Sequence, residues 1–293
     1  MKNDACVSSP PERLRSTFGD AELHKFIGTL IRKSSTNHED IYRLSLKGIR
    51  FDTPLNVLDL GCGWGAFSSA LKGRLAPGSR CTGIDWVEGN REPYLENASG
   101  PGVTAAFMPG PASRVDEFGD DAFDLILCGY SLYFFSEVIP EIARILKGDG
   151  TALAITHSER SLHEFLEDVR IPLNHDGYLS PEHFGVEEVL YAFSAENGGE
   201  KLAPFFKEVE KEPYQNILKF GVSEIEDCFR YLNFKRYIIS DESEFQHHFD
   251  NERFHKELIS VMRARAEREG AYTLTKDDAI FRCTGPGKGQ VGG

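Results

Sequence analysis

The middle of the chain alternates short apolar runs with stretches of helical spacing. In the runs, apolar residues follow one another instead of alternating with polar ones, which is typical of parallel strands covered by helices on both faces. The intervening stretches 66–76 and 136–148 have helical spacing. The pattern therefore predicts repeated βαβ units. The predicted strands are residues 55–60, 80–86, 103–108, 123–130 and 150–157.

Mostly helical patterns flank this region. Residues 1–16 are polar and predict a flexible arm, and residues 20–48 predict a helical cap, with Thr36 or Asn37 capping its second helix. After Ser158, residues 159–205 predict a helical insertion over the sheet.

The last part of the chain completes the predicted sheet. Residues 206–220 are strand-like in part, two amphipathic helices follow, and 276–285 predicts a last strand. We expect an α/β fold: a doubly wound, mostly parallel, seven-stranded sheet with helices on both faces. It forms a single domain over residues 17–285, followed by a flexible tail at 286–293.

Charge and composition narrow the range of partners. The chain has 33 Lys and Arg against 46 Asp and Glu, a formal net charge of −13, and such a field repels phosphate backbones. Nucleic acid is therefore not expected as a partner. No apolar stretch reaches the ~18 residues of a membrane span, so no membrane partner is expected either. A small-molecule substrate remains, and association into a homodimer is left open.

The six cysteines do not form a metal-binding pattern. They are scattered, without a C-x-x-C pair or a histidine at ligand spacing, so no metal site is predicted. Three of them, Cys62, Cys81 and Cys128, fall at predicted strand ends, where free thiols pack as small apolar groups in a reducing compartment. We therefore expect a cytoplasmic protein.

A glycine-rich turn follows the first predicted strand in the run NVLDLGCGWGAFSSAL, residues 56–71. Gly61 permits a sharp turn, Gly63 lets a ligand approach the backbone, and Gly65 lets the next helix pack closely. About twenty residues on, the second strand ends in Asp85, where a carboxylate can accept the hydroxyls of a ribose. Trp86 follows, and its indole can cover an adenine ring. The combination indicates a nucleotide-bearing ligand.

With these residues in view, the chain resembles the class I S-adenosylmethionine methyltransferases over about residues 38–158. The resemblance lies in VLDLGCGWG, GID, FDLILCGYSLYFF and RILKGDGTALAI. It implies S-adenosylmethionine as cofactor, with Asp59 helping to hold its amino-acid part and Asp85 its ribose. The glycines of the turn would line the pocket floor, and Cys62 and Cys128 would lie beside it.

One motif departs from the family. Many members have a Gly-Asp-Ala turn whose acid reads the adenine amino group, but this chain has Pro111, Ala112 and Ser113. Adenine contact is then expected from the backbone, Met108 and Ser113. Asp116 lies nearby but out of register.

Three side chains at predicted strand ends are candidates for catalysis, because ligands bind at the carboxyl ends of strands in open α/β sheets. Tyr130 and Tyr133 follow the fourth strand and His157 ends the fifth. A base is required only if the methyl acceptor carries a proton. Further aromatic residues are candidates for lining the pocket, although aromatics at helical spacing usually belong to a core: Phe26, Tyr42, Phe165, Tyr178, Phe184 and Tyr191.

The sequence favours a methyltransferase that modifies nitrogen or oxygen of a small molecule, and two alternatives stay open. The first alternative is a nicotinamide-dependent oxidoreductase, whose glycine pattern and ribose-binding acid are also matched by Gly61, Gly63, Ala66 and Asp85. However, no Tyr-x-x-x-Lys pattern follows the fourth strand. The second alternative is a non-catalytic module that keeps the fold and binds a cofactor or a partner.

Overall fold

The computed structural model describes residues 15, 17–177, 182, 184–240 and 242–287. The predicted arm, apart from Arg15, therefore lies outside the described residues, as do Tyr178 and residues 288–293 of the predicted tail. Within the described residues no helix is both long and apolar enough to cross a membrane.

A seven-stranded sheet forms the centre of the fold and confirms the predicted architecture. The strands lie in the order β3-β2-β1-β4-β5-β9-β6, and all are parallel except β9, which runs antiparallel to both of its neighbours. The members are β1 (Asn56–Leu60), β2 (Arg80–Asp85), β3 (Thr104–Pro109), β4 (Phe123–Gly129), β5 (Leu146–His157), β6 (Phe206–Tyr214) and β9 (Asp278–Pro286). A separate hairpin pairs β7 (Ile217–Phe220) with β8 (Tyr272–Thr275).

Eleven α-helices lie wholly within the described residues from Ala21 onwards. Those before β6 are α1 (Ala21–Ser34), α2 (Ile41–Ser45), α3 (Ala66–Ser69), α4 (Arg91–Ala98), α5 (Ile139–Ile145), α6 (His163–His175), α7 (Gly185–Ala192) and α8 (Gly198–Leu202). Those after β7 are α9 (Ile225–Ile239), α10 (Ser243–Phe249) and α11 (Glu252–Glu269).

Consecutive residues of the central strands serve two different cores. In β4, Leu125 and Leu127 pack with α2, α3 and α4, whereas Ile126 packs with α5 on the opposite face. Side chains of a strand alternate between its faces, so a sheet covered on both sides needs apolar residues at every position. The uninterrupted apolar runs in the sequence have this origin.

The helices around the predicted lid share a third core. It joins α1, α6 and α7 to α9, α10, α11 and the β7–β8 hairpin. Two segments on either side of β6, residues 159–205 and 217–275, thus contribute to one helical body. This body extends further along the chain than the predicted insertion, because the apolar faces of α9 and α11 are buried against α1 and α6.

Two local features differ from the sequence expectation. The cap of α2 is Asp40, whose carboxylate accepts hydrogen bonds from the amides of Tyr42 and Arg43, so neither Thr36 nor Asn37 fills that role. Helix α3 is also shorter than the helical stretch 66–76 and gives way to turns before Gly73, which has a φ of +76°. A left-handed glycine ends helical backbone without the steric cost that a Cβ brings.

Gly83 in β2 packs so closely against its neighbours that a side chain at this residue should lower the free energy of unfolding. A Cβ at Gly83 would lie 2.5 Å from Cζ of the buried Tyr94 and 2.7 Å from Sγ of Cys62. We expect Gly83→Ala to lower the free energy of unfolding by about 1–3 kcal/mol through overpacking, measured by urea denaturation. Gly148→Ala is the matched control, because a Cβ there meets no atom within 4 Å. Equal stability of the two variants would contradict this packing.

Candidate active site

The glycine-rich turn between β1 and α3 adopts backbone that only glycine takes without strain. Gly61, Gly63 and Gly65 have φ values of +69°, +49° and +87°. A Cβ at Gly61 would lie 2.6 Å from that of Ser131, and one at Gly65 would press on Tyr94 and Asn97 at 3.2 and 3.1 Å. Gly65 therefore makes room for α4, not for α3 as the sequence suggested.

Gly63 differs from Gly61 and Gly65 because a Cβ there would meet no atom within 4 Å. The space beside its backbone is open, as a ligand that lies against the turn requires. The Gly63 amide points to the end of β2 and donates to Oδ2 of Asp85 at 2.8 Å.

Asp85 holds three hydrogen bonds and keeps some capacity for a ligand. Besides Gly63, the Val87 amide and the Asn90 side-chain amide donate to Oδ1 at 2.9 and 3.1 Å. A carboxylate offers about four lone-pair sites, so one ribose hydroxyl can be accepted directly and a second by exchange with a present donor. Burial raises the pKa of Asp85, and the three donors oppose this shift by stabilising the charge.

Asp59 lies under the turn, with only 2% of its surface exposed. Its Oδ2 accepts a hydrogen bond of 2.6 Å from the Ser68 hydroxyl. Burial raises its pKa to about 7, while the Ser68 hydrogen bond opposes the shift and the nearby Asp85 carboxylate adds to it. Contact between Asp59 and the amino group of a cofactor stays a prediction, because Ser68 is the partner that its carboxylate has in this structure.

The other predicted cofactor contacts fall into two groups. Trp86 and Met108 are half-buried at the ends of β2 and β3, and Ser113 is exposed on the following turn, so all three lie at the rim where adenine is expected. The thiols are further inside. Cys62 is 6% exposed with its sulfur towards Gly83, and Cys128 is 2% exposed in the core on the α5 side. Both side chains are buried, and contact of either residue with the cofactor stays a prediction.

Two of the three predicted catalytic residues, Tyr130 and His157, contact a carboxylate that the sequence did not single out. Asp278, at the start of β9, is buried, and its backbone lies between His157 at the end of β5 and Tyr214 at the end of β6. Its Oδ2 accepts a hydrogen bond of 2.7 Å from the Tyr130 hydroxyl, and its Oδ1 lies 2.6 Å from Nδ1 of His157. The ammonium of Lys276 donates to both oxygens, at 3.0 and 2.7 Å.

This network fixes the charges of its members. The pKa of Asp278 is lowered because the positive charge of Lys276 and the contact with His157 outweigh its burial. The pKa of His157 is lowered to about 4, mainly by burial and then by Lys276, and Asp278 opposes the shift. Burial and then the Asp278 charge raise the pKa of Tyr130 well above its ordinary value. At neutral pH the carboxylate is thus ionised, and the imidazole and phenol are uncharged.

Backbone strain marks the position of Tyr130, whose φ is +56°. Such a conformation is uncommon for a bulky residue and persists where the surroundings impose it, often at functional sites. The Tyr130 amide donates to the Ile155 carbonyl at 2.8 Å, and its ring packs 4.6 Å from the ring of His157. Tyr42 contacts Tyr130 on its other side, so α2 also reaches the network.

A small cavity lies between this network and the helical body. Tyr133 and His157 belong to its wall on the sheet side, and Tyr231, Lys235 and Ile238 of α9 belong to the opposite wall. The remaining lining residues are Phe18, Phe134, Ser161, Leu162, Val186, Val189 and Leu190.

Four of the six aromatic residues predicted to line the pocket lie elsewhere. Phe165 and Phe184 are fully buried in the core of the helical body, whereas Phe26 and Tyr191 are each 47% exposed. None of these four lines the cavity. Apolar spacing within a helix does not by itself tell a residue that faces a core from one that faces a ligand.

An aromatic chain connects the cavity to the glycine-rich turn. Phe18, in the cavity wall, packs 5.3 Å from the ring of His24 on α1, and His24 packs 6.3 Å from the ring of Trp64 in the turn. The start of α1 therefore covers the turn and the cavity together.

Sequence reasoning missed Lys276, Asp278 and Lys235. The signal for the first two is the pair of charges that flank the start of the last apolar strand. Because β9 is antiparallel to β5, its first residues lie beside the last residues of β5. No comparable signal exists for Lys235, since only the packing of α9 turns it towards the cavity.

Comparison with known proteins covers the segment that carries the glycine-rich turn and Asp85. Residues 58–154 match the family described as methyltransferase domain. An uncharacterized methyltransferase of Bacillus subtilis, YcgJ, is 35% identical over 105 residues. That alignment spans 34% of this chain and only 40% of the relative.

Solved structures of low sequence identity are also similar to this chain. The crystal structure of YcgJ has a TM-score of 0.46 at 17% identity and covers 88% of this chain and 97% of that chain. Phosphoethanolamine N-methyltransferase 2 of Haemonchus contortus, in complex with S-adenosyl-L-methionine, has a TM-score of 0.48 at 16% identity and covers 94% and 59%. Residues 58–154 are thus similar to a methyltransferase domain, and this similarity supports S-adenosylmethionine as the cofactor.

Proposed function

We propose that the protein transfers a methyl group from S-adenosylmethionine to a nitrogen or oxygen atom of a small molecule that occupies the cavity. The observation that carries this proposal is the position of the cavity, which borders the strand ends next to the glycine-rich turn and is closed by the helical body. Gly63 and Asp85 would hold the cofactor, because the first faces open space and the second is a partly buried acceptor at the end of β2.

The apolar wall of the cavity suits methyl transfer. The bound cofactor supplies an activated methyl group on a sulfonium, so the protein has to place the acceptor atom and keep water out. Phe18, Leu162 and Leu190 are among the side chains that exclude water.

The residues of the network offer weak bases only. His157 is uncharged at neutral pH, and with its Nδ1 proton directed to Asp278 its Nε2 can accept a proton or a hydrogen bond. Because Tyr130 and Tyr133 have raised pKa values, they act as hydrogen-bond donors and not as bases. This arrangement favours an acceptor atom that needs no strong base.

The alternatives are weaker than this proposal for different reasons. The family match at residues 58–154 favours a methyl donor over a nicotinamide. A non-catalytic module would bind S-adenosylmethionine and turn over no acceptor. We also propose a cytoplasmic location, since the five described cysteines are buried free thiols, and an acceptor other than nucleic acid, since the net charge of −13 repels phosphates.

Removal of the Asp85 carboxylate is expected to weaken cofactor binding severely. In Asp85→Ala the ribose loses its acceptor and the Gly63 amide loses its partner, so we expect affinity for S-adenosylhomocysteine to fall by about tenfold to a hundredfold, on the scale of 1.4 kcal/mol per factor of ten. Isothermal titration calorimetry measures this change. Asp116→Ala, at an exposed carboxylate near the same rim, is the matched control and should bind as the unchanged protein does. Unaltered affinity in Asp85→Ala would place the ribose elsewhere.

The protonation of His157 makes a prediction about pH. Its pKa falls from 6.5 to about 4 in the folded protein, so between these values the unfolded chain binds a proton that the folded chain does not. Stability then falls as pH falls from 6.5 towards 4, by about 1–3 kcal/mol from this residue. Denaturant unfolding at several pH values and NMR titration of the imidazole measure the two effects. Lys276→Met should raise the pKa of His157, because it removes a like charge; a midpoint near 6.5 in the unchanged protein would refute the assignment.

A further inference from the structure

One lysine in the cavity wall has no opposite charge beside it. Lys235 lies on α9 on the same face as Tyr231 and Ile238, and all three line the cavity. Among the residues that the structure describes, none places a carboxylate oxygen within 4.0 Å of its Nζ. Its close contacts are the rings of Phe18 and Phe234, whose centroids lie 5.7 and 5.8 Å from Nζ.

The charges around Lys235 do not neutralise it. The carboxylate of Asp278 acts on it from the sheet side, but Lys276 acts with the opposite sign. Asp278 is already bound by Lys276, Tyr130 and His157. The wall on the α9 side therefore carries one positive charge that no described side chain compensates.

A cation in such a place lowers stability unless a ligand compensates it. Lys235 is partly exposed, so its ammonium loses only part of its water, and a partly desolvated charge beside apolar side chains still has a cost. The pKa of Lys235 is accordingly lowered to about 8, by burial first and by Lys276 second. An anion in the cavity would restore the ordinary charge state and remove this cost.

We infer that Lys235 anchors a carboxylate group of the methyl acceptor, and that this acceptor is an organic acid with an apolar body. The inference rests on the proposed function for the identity of the ligand as an acceptor. Phe134, Val189 and Leu190 supply apolar surface for the body of the acid. An amine in its charged form would be repelled by Lys235.

The lining favours a carboxylate over a phosphate. Phosphate sites usually present an arginine fork or several backbone amides, and no arginine is among the residues that line this cavity. A single lysine over apolar walls matches the smaller charge of a carboxylate.

Calorimetry with three probes of equal length tests the anchor. Hexanoate, hexanol and hexylamine are titrated into the full chain at pH 7. We expect hexanoate to bind at least about tenfold more tightly than hexanol, and hexylamine not to bind. Lys235→Met should reduce the affinity for hexanoate by about tenfold and leave that for hexanol unchanged, whereas Lys235→Arg should keep most of the affinity. Lys219→Met, at an exposed lysine of β7, is the matched control.

The variant also has a readout that does not depend on a ligand. Lys235→Met removes an uncompensated charge and keeps the apolar stem, so we expect its thermal midpoint without ligand to equal or exceed that of the unchanged protein. Lys235→Gln serves as a second variant with a neutral polar head. A midpoint that falls in both variants would mean that the charge is already satisfied in the free protein, which overturns the proposal.

The outcomes separate this inference from the proposed function. Equal affinity for hexanoate and hexanol, or hexanoate binding that survives Lys235→Met, overturns the anchor. If S-adenosylhomocysteine binds and hexanoate does not, the anchor is wrong and the methyltransferase proposal stands. If hexanoate binds through Lys235 and S-adenosylhomocysteine does not bind, the anchor stands and the proposed function is wrong.

Discussion

The hydrogen bond from the Gly63 amide to the Asp85 carboxylate ties together the ends of two neighbouring strands. It spans 2.8 Å and holds the glycine-rich turn against β2. It depends on a left-handed backbone at Gly63, and a side chain at that residue would fill the space that a ligand needs. One constraint therefore shapes the turn, orients the carboxylate and leaves the opening between them.

The two halves of the site differ in electrostatic character. Asp59 and Asp85 lie by the turn, and burial raises the pKa of both. On the far side, Asp278 is saturated by Lys276, His157 and Tyr130, and Lys235 adds an uncompensated positive charge. A ligand that joins the halves would thus meet carboxylates at one end and an ammonium at the other. The overall charge of −13 does not reveal this difference between the two halves.

The sequence predicted the sheet well because its signals are local. Consecutive apolar residues in β1, β4 and β5 reflect burial of the strands on both faces. The glycines of the turn reflect positive φ values, which favour glycine whatever the rest of the chain does. The carboxylate at Asp85 follows from its distance along the chain to that turn.

The cavity side of the site could not be predicted in the same way. His157 and Asp278 are 121 residues apart and meet only because β9 inserts antiparallel beside β5. Lys235 faces the cavity only because the two segments on either side of β6 fold into one helical body with α1. Such contacts depend on long-range topology, and hydrophobic periodicity carries no information about it.

The most direct test of the account is an NMR titration of the full chain with S-adenosylhomocysteine, observing the backbone amides. We expect the largest shifts on Gly61, Gly63 and Gly65 and on the residues after β2 that bond to Asp85, with smaller shifts at the rim near Met108. Shifts that cluster away from the glycine-rich turn, or no shifts in a folded sample, would contradict it.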